Sequence, residues 1–156
     1  LPTELVQSFK STLEESKNVD LLLHVVDASD ANHKIHEEVV ESIMKDLEMS
    51  DIPVLTVYNK LDLADDFAPT ILPNVQISIK SEAGVQQLRQ AIIAKIKELF
   101  VPFELTLPYE AAYQLPILRK IALIDTVVAE DETETYYVSG SISEREKWRL
   151  TEDGLC

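Results

Sequence analysis

The chain has 156 residues, of which 46% are hydrophobic and 27% charged. That is the composition of a globular protein with enough apolar material for a core, and it excludes global disorder. The formal net charge is −14, with −8 on residues 1–100 and −6 on residues 101–156, so neither part is a basic arm and the bulk surface repels a phosphate backbone. The one cysteine, Cys156, makes neither an internal disulfide nor a cysteine-based zinc site, which fits a reducing compartment. No apolar run approaches the roughly 18 residues that span a bilayer.

In chain order, Leu1–Lys17 reads as a loop feeding a helix, because Leu5, Val6, Phe9 and Leu13 recur at spacings of three and four. Leu21–Val26 is a continuous apolar run of the kind that forms a strand covered on both faces, stopped by the turn residues Asp27–Asp30. Lys34–Met49 is helical by period: Ile35, Val39, Ile43 and Leu47 form the apolar stripe, and Glu37, Glu38, Glu41, Lys45 and Asp46 the wet face. Val54–Tyr58 is a second strand of the buried type, Asn59–Ala68 a polar loop, Val75–Ile79 a third strand, and Gly84 opens another helix.

Strands alternating with helices over residues 19–100 imply a mainly parallel, doubly wound α/β sheet. Ligands of such sheets bind beyond the carboxyl ends of the strands, after Val26, Tyr58 and Ile79. A boundary is expected near Val101-Pro102. Past it, Phe103–Leu107 reads as a strand, Tyr109–Ala122 as a helix kinked or broken at Pro116, and Ile124–Ala129 and Thr135–Ile142 as strands flanking an acidic turn, Glu130–Glu134. Glu144–Leu150 suggests a short closing helix. The expected organisation is therefore a doubly wound α/β unit over 1–100 and a small α+β (βαββ) domain over 101–156.

Two motifs carry chemistry. Asn59-Lys60-Leu61-Asp62 follows the strand Val54–Tyr58 directly, and N-K-x-D at the carboxyl end of a strand is the guanine-specificity motif of GTPases. Asp62 is suited to accept hydrogen bonds from N1 and N2 of guanine. Adenine has no donor at N1, and charge-assisted bonds of about 1.5–3 kcal/mol each discriminate between the two. The alkyl stem of Lys60 can lie along the base plane, and the Asn59 side chain can tie neighbouring loops together. Taken alone, the tetrapeptide also reads as a polar Asx turn. Ser78-Ile79-Lys80, about twenty residues on, occupies the place of the second base loop, commonly S-A-K, whose middle N–H meets guanine O6; here Ile79 replaces the usual Ala. By contrast, the sequence contains no G-x-x-x-x-G-K-[ST] phosphate loop and no D-x-x-G switch, and its only glycines are Gly84, Gly140 and Gly154.

The other candidates have plainer readings. His33 and His36 lack a third metal ligand and read as solvated polar residues. His24 reads as a hydrogen-bonded core histidine, Asp27 as a turn or cap residue, Glu130–Glu134 as a solvated turn, and Trp148 as either a partner contact or part of its own domain's packing.

LPTELVQSFKSTLEE, DLLLHVVDASD and DIPVLTVYNKLDL together resemble the HflX family of ribosome-associated GTPases. The resemblance covers residues 1–100 closely, and residues 101–150 are compatible with the family's small C-terminal domain. It implies the second half of a Ras-like P-loop GTPase domain followed by a ferredoxin-like domain. The parent protein would be a cytoplasmic GTPase that binds GTP or GDP with Mg²⁺ and associates with the large ribosomal subunit. Asn59, Lys60, Asp62, Ser78, Ile79 and Lys80 would meet the guanine nucleotide, and Leu1–Glu15 would fall around switch II. Lacking the phosphate loop, the chain by itself would be catalytically silent and without bound cofactor, and it would be prone to dimerise or swap segments. The alternative expectation is a non-catalytic α/β interaction module with a degenerate half G domain, whose acidic surface engages a basic protein.

Overall fold

A computed structural model describes residues 12–151 and 154–155. These residues fall into two compact units divided between Lys95 and Ile96. Most of Leu1–Lys17, including nearly all of the segment expected around the switch, lies outside the described residues, as does Cys156.

The first unit is built on a parallel sheet of β1 (Leu22–Asp27), β2 (Val54–Asn59) and β3 (Asn74–Gln76), in the order β1-β2-β3. Helix α1 (His33–Asp46) connects the first two strands, and α2 (Glu82–Leu99) follows the third, its last residues lying in the second unit. The parallel arrangement expected from the alternation is present. β2 is central, and Leu55, Thr56, Val57 and Tyr58 are all buried, as a strand covered on both faces requires. On one face Val57 packs with Val75 and Ile77 against Leu88 and Ala91 of α2. On the other, Tyr58 packs with Val26 and Ala28 against Ala64 and Phe67. The Tyr58 hydroxyl is satisfied there by the backbone N–H groups of Thr70 and Ile71, at 3.2 and 3.1 Å.

Several expectations are corrected. The stripe of α1 is rotated: Ile43 and Leu47 are buried, but Ile35 is 58% and Val39 42% exposed. Glu37, assigned to the wet face, is buried, and its Oε2 accepts a 2.5 Å hydrogen bond from the Thr70 hydroxyl. The loop before β3 covers that side of the helix and supplies a partner for the carboxylate. The helix stops at Asp46 because Glu48 adopts a left-handed backbone (φ 57°) and the Met49 N–H returns to the Met44 carbonyl, a Schellman closure. β3 ends at Gln76 rather than Ile79, so Ser78, Ile79 and Lys80 belong to the following loop. Helix α2 begins at Glu82, before Gly84, because the Ser81 hydroxyl oxygen caps the Gly84 N–H at 3.0 Å.

β1 is the edge strand among the described residues. Leu23 (43% exposed) and Val25 (62%) stand on the face that α2 covers over β2 but leaves open here.

The second unit is an antiparallel sheet of β4 (Val101–Pro108), β5 (Ala122–Glu130) and β6 (Thr135–Ile142), in the order β4-β6-β5. Between β4 and β5 the chain forms a 3-10 turn, Tyr109–Gln114, and then helix α3 (Leu115–Ile121), with Pro116 in the first turn where its missing N–H costs nothing. The expected βαββ order is present. Leu105, Leu107, Leu118 and Val138 form its buried core. Instead of a closing helix, Lys147–Arg149 makes one 3-10 turn that leads into a ribbon of β7 (Leu150–Thr151) and β8 (Gly154–Leu155).

Candidate functional site

Parallel strands bring their carboxyl ends to one edge of the sheet, and there the loops after Asp27, Asn59 and Gln76 meet. β2 runs one residue further than its apolar pattern indicates, so Asn59 is still in register, opposite Asp27. Lys60 then turns the chain sharply in a left-handed conformation (φ 63°, ψ 32°). The turn is held by Leu61 N–H to the Ile77 carbonyl (3.1 Å) and Leu63 N–H to the Lys60 carbonyl (2.9 Å). Asp62 thereby sits in the one-turn 3-10 segment Leu61–Leu63, next to the loop that follows β3.

That proximity is closed by side chains. The Asn59 Oδ1 accepts the backbone N–H of Ile79 at 3.1 Å, tying the two loops as expected of this asparagine. The Asp62 carboxyl is held below its ordinary value chiefly by a hydrogen bond from the Ser78 side chain, and further by Lys80, whose ammonium lies 3.4 Å from Oδ2. The Ile79 side chain is 56% exposed, so its extra bulk is not driven into the core. Gly84 permits the close approach of α2 to this loop: a Cβ there would lie 2.1 Å from the Ser78 carbonyl oxygen. The six sequence-expected residues therefore converge on two adjacent loops, with one glycine behind them.

One partner was missed by sequence reasoning. The Lys60 ammonium lies 2.6 Å from Asp27 Oδ2. Asp27 Oδ1 meanwhile accepts the N–H and hydroxyl of Ser29, at 3.0 and 2.6 Å, which is the turn role expected of it. Lys60 first and Ser29 second lower the Asp27 carboxyl to about 2, and Asp27 raises Lys60 in return.

Of the two histidines expected to be solvated, one departs from that expectation and the other, His36, meets it. His33 is not simply solvated: its Nδ1 lies 2.9 Å from the Asp30 carbonyl oxygen, and its ring packs against Phe67 and Tyr58 at 5.3 and 6.4 Å. His36 is mostly exposed, 3.4 Å from an Asp30 carboxylate oxygen. His24 is half-buried, and burial pushes its imidazole below the ordinary value. Among the described residues no three histidine, cysteine or acidic side chains cluster as a metal site, and no helix is long and apolar enough to cross a membrane. An apolar groove of about 350 Å³ runs along β1 and α1 and touches the converging loops only at Asp27.

No family model matches the chain. Individual relatives do. The GTPase HflX of Alkalihalophilus pseudofirmus is 36% identical over 142 residues, covering 90% of this chain and 34% of the relative. The GTPase HflX of Escherichia coli is 35% identical over 133 residues, covering 77% of this chain and 31% of the relative. The chain belongs to the HflX family. A shorter match, to the GTPase HflX of Flavobacterium psychrophilum, reaches 50% identity over 62 residues, 40% of this chain and 15% of the relative. Coverage of 90% necessarily includes residues of both units, so similarity to HflX does not stop where the second unit begins. The chain spans about a third of the length of the curated HflX relatives it matches.

Proposed function

We propose that this chain is the guanine-reading part of an HflX-type GTP-binding protein, and that the whole protein hydrolyses GTP and associates with the large ribosomal subunit in the cytoplasm. The observation that carries the reading is the convergence of Asn59, Lys60 and Asp62 with Ser78, Ile79 and Lys80 on adjoining loops at the carboxyl edge of a parallel sheet. The acceptor set suits guanine: the Asp62 carboxylate is ionised and oriented by Ser78 and Lys80, ready for the N1 and N2 donors. The Ile79 N–H is engaged by Asn59, so a guanine O6 must share that donor or displace the amide oxygen.

The residues do not fit the rest of the nucleotide equally well. Without a G-x-x-x-x-G-K-[ST] segment, the sequence offers neither the nest of backbone N–H groups that cradles phosphates nor the hydroxyl that meets Mg²⁺. On this reading the phosphate and Mg²⁺ site belongs to the part of the parent outside the chain, and the chain alone does not hydrolyse GTP. Among the described residues the outer edge of β1 is unpaired and Leu23 and Val25 are exposed, which supports a sheet completed by further segments of a G domain. We assign 1–100 to that domain and 101–156 to a separate C-terminal domain, Ras-like and ferredoxin-like respectively.

The test is Asp62→Asn in the full-length protein. Exchanging a carboxylate for an amide, partly a donor, should shift preference from guanine toward xanthine nucleotides in competition binding. Unchanged guanine preference would overturn the assignment of Asp62. Titrating the isolated chain with GDP should give little heat, and tight binding there would contradict the division of labour.

A further inference from the structure

We propose that Asp27, from the β1–α1 loop, is a positioning residue for base recognition that acts through Lys60; the inference rests on the guanine reading of the site. A lysine stem serves as a flat apolar face only while it stays extended, and a free lysine samples many rotamers. Here the ammonium is anchored at both distance and direction by Asp27 Oδ2, at 2.6 Å. The anchor is itself fixed. Its other oxygen takes two hydrogen bonds from Ser29, and its backbone is in register with Asn59, the residue before Lys60. The next residue, Ala28, donates its N–H to the Asn59 carbonyl at 2.9 Å. The start and the tip of the Lys60 side chain are thus referred to the same pair of strands.

An ion pair this exposed, with the two side chains 49% and 37% accessible, adds little to folding stability. Its consequence lies in pre-organisation: the ordering of Lys60 is complete before the base arrives.

The experiment measures GDP dissociation constants in the full-length protein, for the wild type and for Asp27→Asn, Asp27→Ser, Ser29→Ala, Lys60→Met and Asp27→Asn/Lys60→Met. Asp27→Asn and Asp27→Ser should each weaken binding about tenfold, the serine variant with its turn preserved by a hydroxyl acceptor. Ser29→Ala, which removes one of the two bonds on Asp27 Oδ1 but leaves the Lys60 pair in place, should weaken binding less than Asp27→Asn does; an equal or larger loss would mean that Asp27 acts through its turn and overturns the inference. In the Lys60→Met background, Asp27→Asn should cause no further loss. If wild-type protein fails to bind GDP, the guanine reading itself falls. If wild type binds but Asp27→Asn and Asp27→Ser match it, the positioning role falls alone. A loss that persists undiminished in the Lys60→Met background would mean that Asp27 works through the fold of its turn, and overturns the inference. Should the asparagine variant not fold, the serine variant decides between the same outcomes.

Discussion

The side-chain carbonyl of Asn59 accepts the backbone N–H of Ile79, twenty positions further along, at 3.1 Å. This bond joins the loop after β2 to the loop after β3 at the point where both leave the sheet. The strand ladder pairs Thr56–Tyr58 with Asn74–Gln76, the backbone bonds Ile77 N–H to the Tyr58 carbonyl and Leu61 N–H to the Ile77 carbonyl continue it, and the asparagine adds a side-chain tie beyond them. Asn59→Ala should therefore lower stability by about 1 kcal/mol, the usual worth of one hydrogen bond. Asn59→Asp keeps an acceptor and should recover most of it. Urea unfolding measures the cost, and amide exchange at Ile79 shows whether the loss is local; slow exchange retained in Asn59→Ala would contradict the role.

Gly84 sets how closely α2 approaches the same loop. A methyl group at its Cβ would meet the Ser78 carbonyl oxygen at 2.1 Å and the carbonyl carbon at 2.9 Å, both backbone atoms that no rotamer change can clear. Gly84→Ala should cost about 2 kcal/mol by overpacking and push the Ser78 segment away from Asp62. Amide shifts in Ser78–Ser81 should move more than those in β1. An unchanged spectrum with unchanged stability would show that the helix simply slides to make room.

The β2 strand and the N-K-x-D loop were legible because both depend on local pattern: an uninterrupted apolar run, then a fixed tetrapeptide. The order of elements in the second unit was legible for the same reason. Contacts between distant segments were not. Asp27 and Lys60 are 33 positions apart, and nothing in either neighbourhood singles out the pair. Glu37 was misplaced because periodicity ranks residues by polarity, and a carboxylate buried against Thr70 depends on a loop that packs back over the helix. Ile35 and Val39 were misplaced in the opposite sense, since a stripe says which residues prefer cover and not whether a neighbour supplies it. Helix ends shifted wherever a side chain or a left-handed residue capped them, as Ser81 and Glu48 do.

Glu48 occupies the left-handed position that closes α1, with the Met49 N–H bonded to the Met44 carbonyl at 2.9 Å. Glycine adopts that backbone without the Cβ clash that a glutamate carries. Glu48→Gly should stabilise the protein by roughly 1 kcal/mol, and Glu48→Val should destabilise it, because β-branching worsens the same clash. Thermal unfolding of the two variants checks the sign. A glycine variant no more stable than wild type would imply that the helix end tolerates a different closure.

The carboxyl of Asp27 is lowered from its ordinary value of 3.8 to about 2, first by the Lys60 ammonium and then by Ser29. The folded protein therefore keeps this carboxylate ionised to a lower pH than the unfolded chain does. Between the two values the unfolded state binds more protons, so stability rises with pH across that window. The contribution is fully present above about pH 3.8 and is lost as the pH falls through about 2. Carboxyl carbon shifts followed by NMR titration should place the Asp27 midpoint near 2. Lys60→Met should return the larger part of the displacement, because the lysine is the leading cause, and Ser29→Ala the smaller part. Asp27→Asn should flatten the acid limb of the stability curve in that interval; near neutrality, where no proton is exchanged, it should leave the slope unchanged and remove the small contribution of the pair. A midpoint at the ordinary carboxylate value in the wild type would show that the Asp27–Lys60 pair does not persist in solution, whatever its distance in the folded structure.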